Sequence, residues 1–128
     1  MCLRSSDCRA SYADRDITCY KLVYPANMDH KFRSQFHEFP YELGHTYHET
    51  RFEKANFSCS IYRGYHSYRT IKEATAHSYP SLVMIKCVIP KGSLYYVSEN
   101  RDQYCSDKIK PVAWRRVWRG KWQEKIGK

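Results

Sequence analysis

The residues best suited to chemistry lie near the C-terminus, where tryptophans are interleaved with basic side chains. Residues 108–128 hold eight Lys and Arg and a single acid, a net charge of +7, while the whole chain carries +9. Indole rings stack on nucleobases and basic side chains bind phosphates, so this combination predicts an anionic macromolecule, RNA above all, as the partner. The predicted partner-binding residues are Arg115, Arg116, Trp118, Arg119, Lys121, Trp122 and Lys125.

The same segment has other interpretations. Trp114, Val117, Trp118 and Trp122 recur at helical spacing, which predicts one stripe along a terminal helix, although Gly120 weakens it. The indoles could cover an open face of the domain while the arginines stay in water. Alternatively, the helix stacks bases or inserts into a groove of a partner protein. Inward tryptophans and outward arginines are compatible, and a charged segment that only aids solubility is the remaining alternative.

Histidine and cysteine offer less. His66 ends a Gly-Tyr-His corner that begins at Gly64. It could polarise a bound phosphate or act as a base, but it could equally be held by a hydrogen bond to the backbone. His45 and His48 lie on a predicted strand, where they would point to opposite sides. The six cysteines contain no C-x-x-C spacing, so we predict no metal site and expect free thiols. No Gly-rich phosphate loop or nucleophile-elbow signature is present.

The elements that must position these residues centre on residues 61–96. Thr70 and Glu73 have the spacing of a capping box and predict a short helix that ends before Pro80. Residues 82–89 form an apolar, β-branched run interrupted only by Lys86, which predicts a central strand buried on both faces. A turn at residues 90–92 and a strand at 93–98 follow.

The remaining elements are mostly predicted strands. We expect them at residues 17–24, from a turn through Gly44 at 41–47 on to about residue 52, at 56–62 and at 103–112. Pro111 places the end of the last strand at a sheet edge. Between the first two of these strands, Phe32 and Phe36 are four residues apart and allow one helical turn.

Length and composition set the class. A chain of 128 residues suits one α+β domain, with a bent, mainly antiparallel sheet and one or two short helices. We expect a flexible arm at residues 1–16, the domain at 17–112 and a basic, Trp-rich segment at 113–128. No 18-residue apolar run exists and the N-terminus lacks a signal-like apolar region, so we expect no membrane span and a cytoplasmic protein.

Two resemblances add to this interpretation. Gly-Tyr-His-Ser-Tyr at 64–68, a helix with Ala74, and Val-Met-Ile-Lys-Cys-Val-Ile-Pro-Lys-Gly at 83–92 resemble the core of the ADP-ribosyltransferase fold. A Tyr-Glu-x-Gly-x-x-Tyr element at 41–47 before the glycine corner resembles small phage and prophage proteins. Together the two patterns span residues 41–112.

The transferase resemblance implies a cleft that binds NAD and a carboxylate that opens the late strand. The implied ligand-cleft residues are Tyr20, Lys21, His66, Ser67, Tyr95 and Gln103. An active enzyme would use His66 and either Glu99 or Asp102, but Gln103 stands where the carboxylate is needed and cannot supply negative charge.

We therefore expect no cofactor and no catalysis. The favoured function is a phage or mobile-element protein that docks on a nucleic-acid-handling or defence complex of the host, such as a CRISPR effector, and blocks it. The alternatives are an NAD-dependent ADP-ribosyltransferase that modifies a host protein and a protein that sequesters a nucleotide ligand. The oligomeric state is not predicted.

Overall fold

Antiparallel strands dominate the structure, a computed structural model that describes residues 3–4, 10–26, 31–35, 39–50, 60–61, 64–98 and 102–124. The strands are β1 (Leu3–Arg4), β2 (Ser11–Tyr12), β3 (Ile17–Tyr24), β4 (Phe32–Ser34), β5 (Pro40–Tyr41), β6 (Tyr47–His48), β7 (Ser60–Ile61), β8 (Tyr65–Tyr68), β9 (Val83–Ile89), β10 (Leu94–Val97), β11 (Gln103–Ser106), β12 (Lys108–Arg116) and β13 (Arg119–Gln123). The helix is α1 (Ile71–Ala76).

Most strands belong to one sheet, whose main path runs in the order β13-β12-β9-β3-β8-β11-β10-β2. β4 and β5 extend from β3, β6 pairs with β12, and β1 and β7 form a separate two-stranded sheet. Every pairing within the described residues is antiparallel. The predicted mainly antiparallel sheet with a short helix is confirmed.

The centre of the sheet is β9, which lies between β3 and β12. It pairs with the whole of β3 apart from its last residue, from Ile17 opposite Ile89 to Val23 opposite Val83. Every residue of β9 is buried except Lys86 and Val88, which are half-buried. The sequence prediction of a central strand here is confirmed, because a run of β-branched and apolar residues can bury both of its faces.

The helix begins where the capping pattern predicts. Thr70 is the N-cap residue, and its hydroxyl accepts a hydrogen bond of 3.2 Å from the backbone N–H of Glu73. Ala74 is fully buried against the sheet, where its small side chain allows close approach. The helix ends at Ala76, before Pro80, as predicted.

Alternate residues of β3 and β9 serve two hydrophobic clusters, one on each face of the sheet. The first cluster contains Cys19, Val23, Phe32, Tyr41, Ile85, Cys87, Ile89 and Ile109 among its buried members. The second contains Leu22, Ala74, Leu82, Met84 and Val117 and is covered by α1. The face of the second cluster is the one that positions the candidate site.

The predicted C-terminal helix is wrong. Residues 108–123 form the β12–β13 hairpin, with a turn at residues 117–118. β12 is paired with β9 from Lys110 to Arg116 and with β13 at Trp114 and Arg116, so its C-terminal half has strand partners on both sides. Trp114 packs against the first cluster and Trp122 against the second, so the tryptophans do not form one stripe.

The placement of Pro111 at the end of an edge strand is also wrong. The predicted strand at 103–112 is divided at Asp107 into β11 and β12, and Pro111 lies buried inside β12, opposite Cys87. A register shift between Pro111 and Ala113 accommodates it, since a bulge leaves a residue outside the regular ladder. Its carbonyl still accepts a hydrogen bond of 2.7 Å from the N–H of Gly44.

Other predictions are met only in part. Phe32 lies in β4, so the helical turn proposed there is wrong for this residue, and Phe36 lies outside the described residues. The turn predicted through Gly44 is confirmed, since Gly44 has φ of 84° and the His45 N–H donates to the Glu42 carbonyl. The strand predicted to follow it is reduced to β6, and residues 51–52 lie outside the description. Of the strand predicted at 56–62, only Ser60–Ile61 is described. Within the predicted arm, Ser11–Tyr12 pairs with β10 and so belongs to the sheet.

Candidate functional site

Cations and aromatic rings meet on the face of the second cluster, beside the part that α1 covers. Tyr20 and Lys86 are directly opposite each other on β3 and β9 and therefore share this face. The Trp122 ring stacks on Tyr20, with centroids 5.9 Å apart and an interplanar angle of 30°. Lys86 Nζ lies 4.6 Å and Arg115 Cζ 4.9 Å from the centroid of the same indole. One tryptophan thus orients two cations.

The register of β12 adds a third cation to this face. Lys110 is opposite Val88 and Arg115 is opposite Met84, while Lys86 lies between Met84 and Val88 along β9. Since every second residue of a strand points to the same side, the three basic side chains occupy successive rows, roughly 7 Å apart along the strand. We name Arg115, Lys86 and Lys110 the cationic row.

The charges of the cationic row are not neutralised within the described residues. No carboxylate of that part of the chain lies within ion-pair distance of Arg115, Lys86 or Lys110. The Nε atom of Arg115 is buried and has no hydrogen-bond partner there. A buried donor without a partner costs about 1–3 kcal/mol, and neighbouring cations repel each other. An oxyanion placed on the row would relieve the repulsion between the cations.

Local sequence explains how these residues come together. Lys86 is tolerated in a central strand because its side of the sheet is only partly covered: Thr18, on the same face, is exposed. A lysine there can bury its aliphatic stem and keep its ammonium near water. In the hairpin, Trp114 is opposite Gln123, which turns the adjacent Trp122 to the other face. Gly120, with φ of 105°, lies where the hairpin register shifts.

The structure divides the predicted ligand cleft between two faces. Tyr20, Tyr68 and Gln103 are successive cross-strand neighbours and share the face of the second cluster. Ser67 is opposite Tyr104, whose ring lies 5.8 Å from that of Tyr95 on the side of the first cluster. The predicted cleft residues Tyr20 and Gln103 are therefore separated by the sheet from Ser67 and Tyr95.

Lys21 lies on the face of the first cluster, opposite Ile85. Its Nζ donates a hydrogen bond to the carbonyl of His66 and sits 5.4 Å from the centroid of the Tyr41 ring. Burial lowers the pKa of Lys21 because the charged ammonium is separated from water. This contact ties β3 to β8, and it uses the backbone of His66.

Two thiols lie beside this lysine. Cys19 and Cys87 are fully buried and directly opposite each other. Burial works to raise the pKa of Cys19, but hydrogen bonds from Cys87 and Ser67 outweigh it and lower the pKa overall. Burial raises the pKa of Cys87 well above its usual range. The described residues contain no group of three or more His, Cys, Asp or Glu side chains able to hold a metal ion.

The predicted partner-binding residues do not form one group. Arg115 and Trp122 belong to the site above, whereas Arg116 and Lys121 are exposed and Trp118 is 63% exposed in the hairpin turn. Arg119 begins β13, and Lys125, like Glu99 of the transferase alternative, lies outside the described residues. Sequence reasoning missed Lys86 and Lys110 as site residues. The signal for Lys86 was its position inside an otherwise apolar run.

Comparisons of the chain with protein-family models, curated proteins and solved structures find no match. Within the described residues, no helix is long and apolar enough to cross a membrane.

Proposed function

We propose that the protein is a non-enzymatic binding protein whose partner is nucleic acid, RNA above all, free or within a protein–RNA complex. The observation that supports this most directly is the cationic row: three basic side chains on one sheet face, two of them held against Trp122, with no carboxylate beside them among the described residues.

Phosphates match the chemistry of this face. A phosphate oxygen would accept from the guanidinium of the half-buried Arg115 and would neutralise Lys86 at the same time. Because Trp122 already orients both cations, little side-chain freedom would be lost on binding. Binding would also release counterions from the nucleic acid, which makes the affinity depend steeply on salt.

The biological setting follows from the resemblance to phage proteins. A protein that covers phosphates can block a nucleic-acid-handling complex of the host by occupying its RNA or the surface that holds it. We propose a defence complex in the host cytoplasm, such as a CRISPR effector, as the target.

The test is RNA binding by the purified protein across a salt series. The variant K86Q/K110Q/R115Q removes the cationic row, and R15Q/K72Q/K91Q removes the same charge from exposed positions elsewhere. Log K falls as log salt rises, and for three phosphate contacts to a single strand we expect this dependence to become shallower by about 2 in the first variant only. Equal losses in both variants would reduce the effect to net charge, and wild-type protein that does not bind RNA or an RNA-containing complex would refute the proposal.

A further inference from the structure

We infer that the nucleic acid is bound as a single strand, with its phosphates along the cationic row and one base stacked on Trp118. This inference rests on the proposed function and deepens it by naming the form of the ligand. Trp118 is 63% exposed, whereas Trp114 and Trp122 are half-buried in contact with the hydrophobic clusters. Trp118 therefore has a ring surface available to a ligand.

The position of Trp118 is fixed by its neighbours. It occupies the two-residue turn of the hairpin together with Val117, which is buried in the second cluster. Arg116 and Arg119 are paired across the turn. An aromatic ring on an anchored turn is presented at low conformational cost, as a stacking platform requires.

The turn adjoins one end of the cationic row. Arg115, the last cation of the row along β12, precedes Trp118 by three residues in the same hairpin. A strand whose phosphates follow Lys110, Lys86 and Arg115 therefore reaches the turn next.

A second exposed ring lies at the same end of the sheet. Val83, the first residue of β9, is opposite both Arg116 and Val23. Tyr79 lies in the turn before β9, is 41% exposed, and has its hydroxyl 3.4 Å from that of Tyr24. The end of the sheet that carries Trp118 thus offers two accessible aromatic rings.

This arrangement favours a single strand over a duplex. Bases inside a duplex are already stacked on one another and present only their edges, whereas unpaired bases can stack on an aromatic side chain. The members of the cationic row recur at every second residue position along β9, a spacing that suits the successive phosphates of an extended strand.

The experiment compares a fluorescein-labelled 20-mer of uridine with an RNA duplex of equal length, by anisotropy at fixed low salt. Wild-type protein should bind the single strand more tightly. W118A should weaken that binding by about 5- to 150-fold, the range expected for one lost base stack, and W118F should retain most of it. Y12A is the matched control, because Tyr12 is 73% exposed in β2 at the opposite edge of the sheet.

The outcomes separate the two proposals. If K86Q/K110Q/R115Q loses binding while W118A stays within twofold of wild type, the stacking inference is wrong and the proposed function stands. Equal or tighter binding of the duplex also overturns the inference alone. If wild-type protein binds neither RNA, the inference fails, and the proposed function fails with it if the protein also binds no RNA-containing complex. Circular dichroism checks that W118A folds, which we expect because the ring is largely exposed in the folded chain.

Discussion

Replacing Arg115 with methionine should stabilise the free protein and weaken its binding to RNA. The guanidinium holds a buried Nε without a partner among the described residues and shares one indole with Lys86. Methionine keeps an unbranched apolar stem against Trp122 but removes the charge and the donor. The residue would then be retained for binding at a cost to stability.

The magnitude follows from three contributions. Removing the unpaired donor recovers about 1–3 kcal/mol. The two cations lie 4.6 and 4.9 Å from one centroid, so their separation cannot exceed roughly 10 Å, and ending their repulsion gains about 0.4 kcal/mol in water and about 1.7 at an effective dielectric constant of 20. The lost cation–π contact costs about 0.5–2 kcal/mol. Taken at mid-range, these contributions give a net gain of about 2 kcal/mol.

Urea unfolding of RNA-free protein measures this gain. With a slope of about 2 kcal/mol per molar urea, the midpoint of R115M should rise by about 1 M, and the rise should shrink in high salt as the repulsion is screened. R116M is the matched control, because Arg116 is the adjacent arginine and is exposed. A loss of stability in R115M, or an equal gain in R116M, would show that Arg115 is a structural residue and would remove the main argument for an anion site.

Three further predictions concern the rest of the fold. Burial raises the pKa of Cys105 from 9.0 to about 12, so the unfolded chain loses this proton first and stability falls as pH rises through 9; by pH 10, urea unfolding should show wild type losing about 1.4 kcal/mol more than C105A. Burial lowers the pKa of Lys21 below 10.5, so its charge costs stability until pH rises through the lowered value. K21M should therefore have a higher melting temperature than wild type at neutral pH, by a margin that shrinks toward pH 10.5. T70A removes the cap on the N–H of Glu73 and should cost about 1 kcal/mol in urea unfolding, while T70S should cost less.

Features set by neighbouring residues could be predicted from the sequence. The hydroxyl of Thr70 reaches the Glu73 N–H within one turn, so the helix start depends on a few adjacent residues. The turn after β9 is likewise local: the Ser93 N–H donates to the Pro90 carbonyl, and Gly92 adopts φ of 89° at little cost.

The C-terminal prediction failed because the helical spacing of the tryptophans carries no sign of the turn between them. Trp114 and Trp122 are eight apart, which suits one helical face, and Val117 and Trp118 completed the helical pattern, but the turn at residues 117–118 puts the two rings on different strands and on opposite faces of the sheet. The deciding factor is tertiary: β9 offers β12 strand partners from Lys110 to Arg116 on one side, and β13 pairs with its end on the other. Gly120 was a local sign of a break, since a glycine in the middle of a predicted helix weakens it.

The site shows where reasoning from one sequence must stop. Lys86 could have been assigned to a partly open face, because a lysine in a central strand needs access to water. Lys110 and Arg115 could not have been placed beside it. They are five residues apart, and regular alternation would put them on opposite faces, yet the shift between Pro111 and Ala113 brings both to the face of Lys86. The total charge indicated an anionic partner, but the bulge decides that three cations act on one surface.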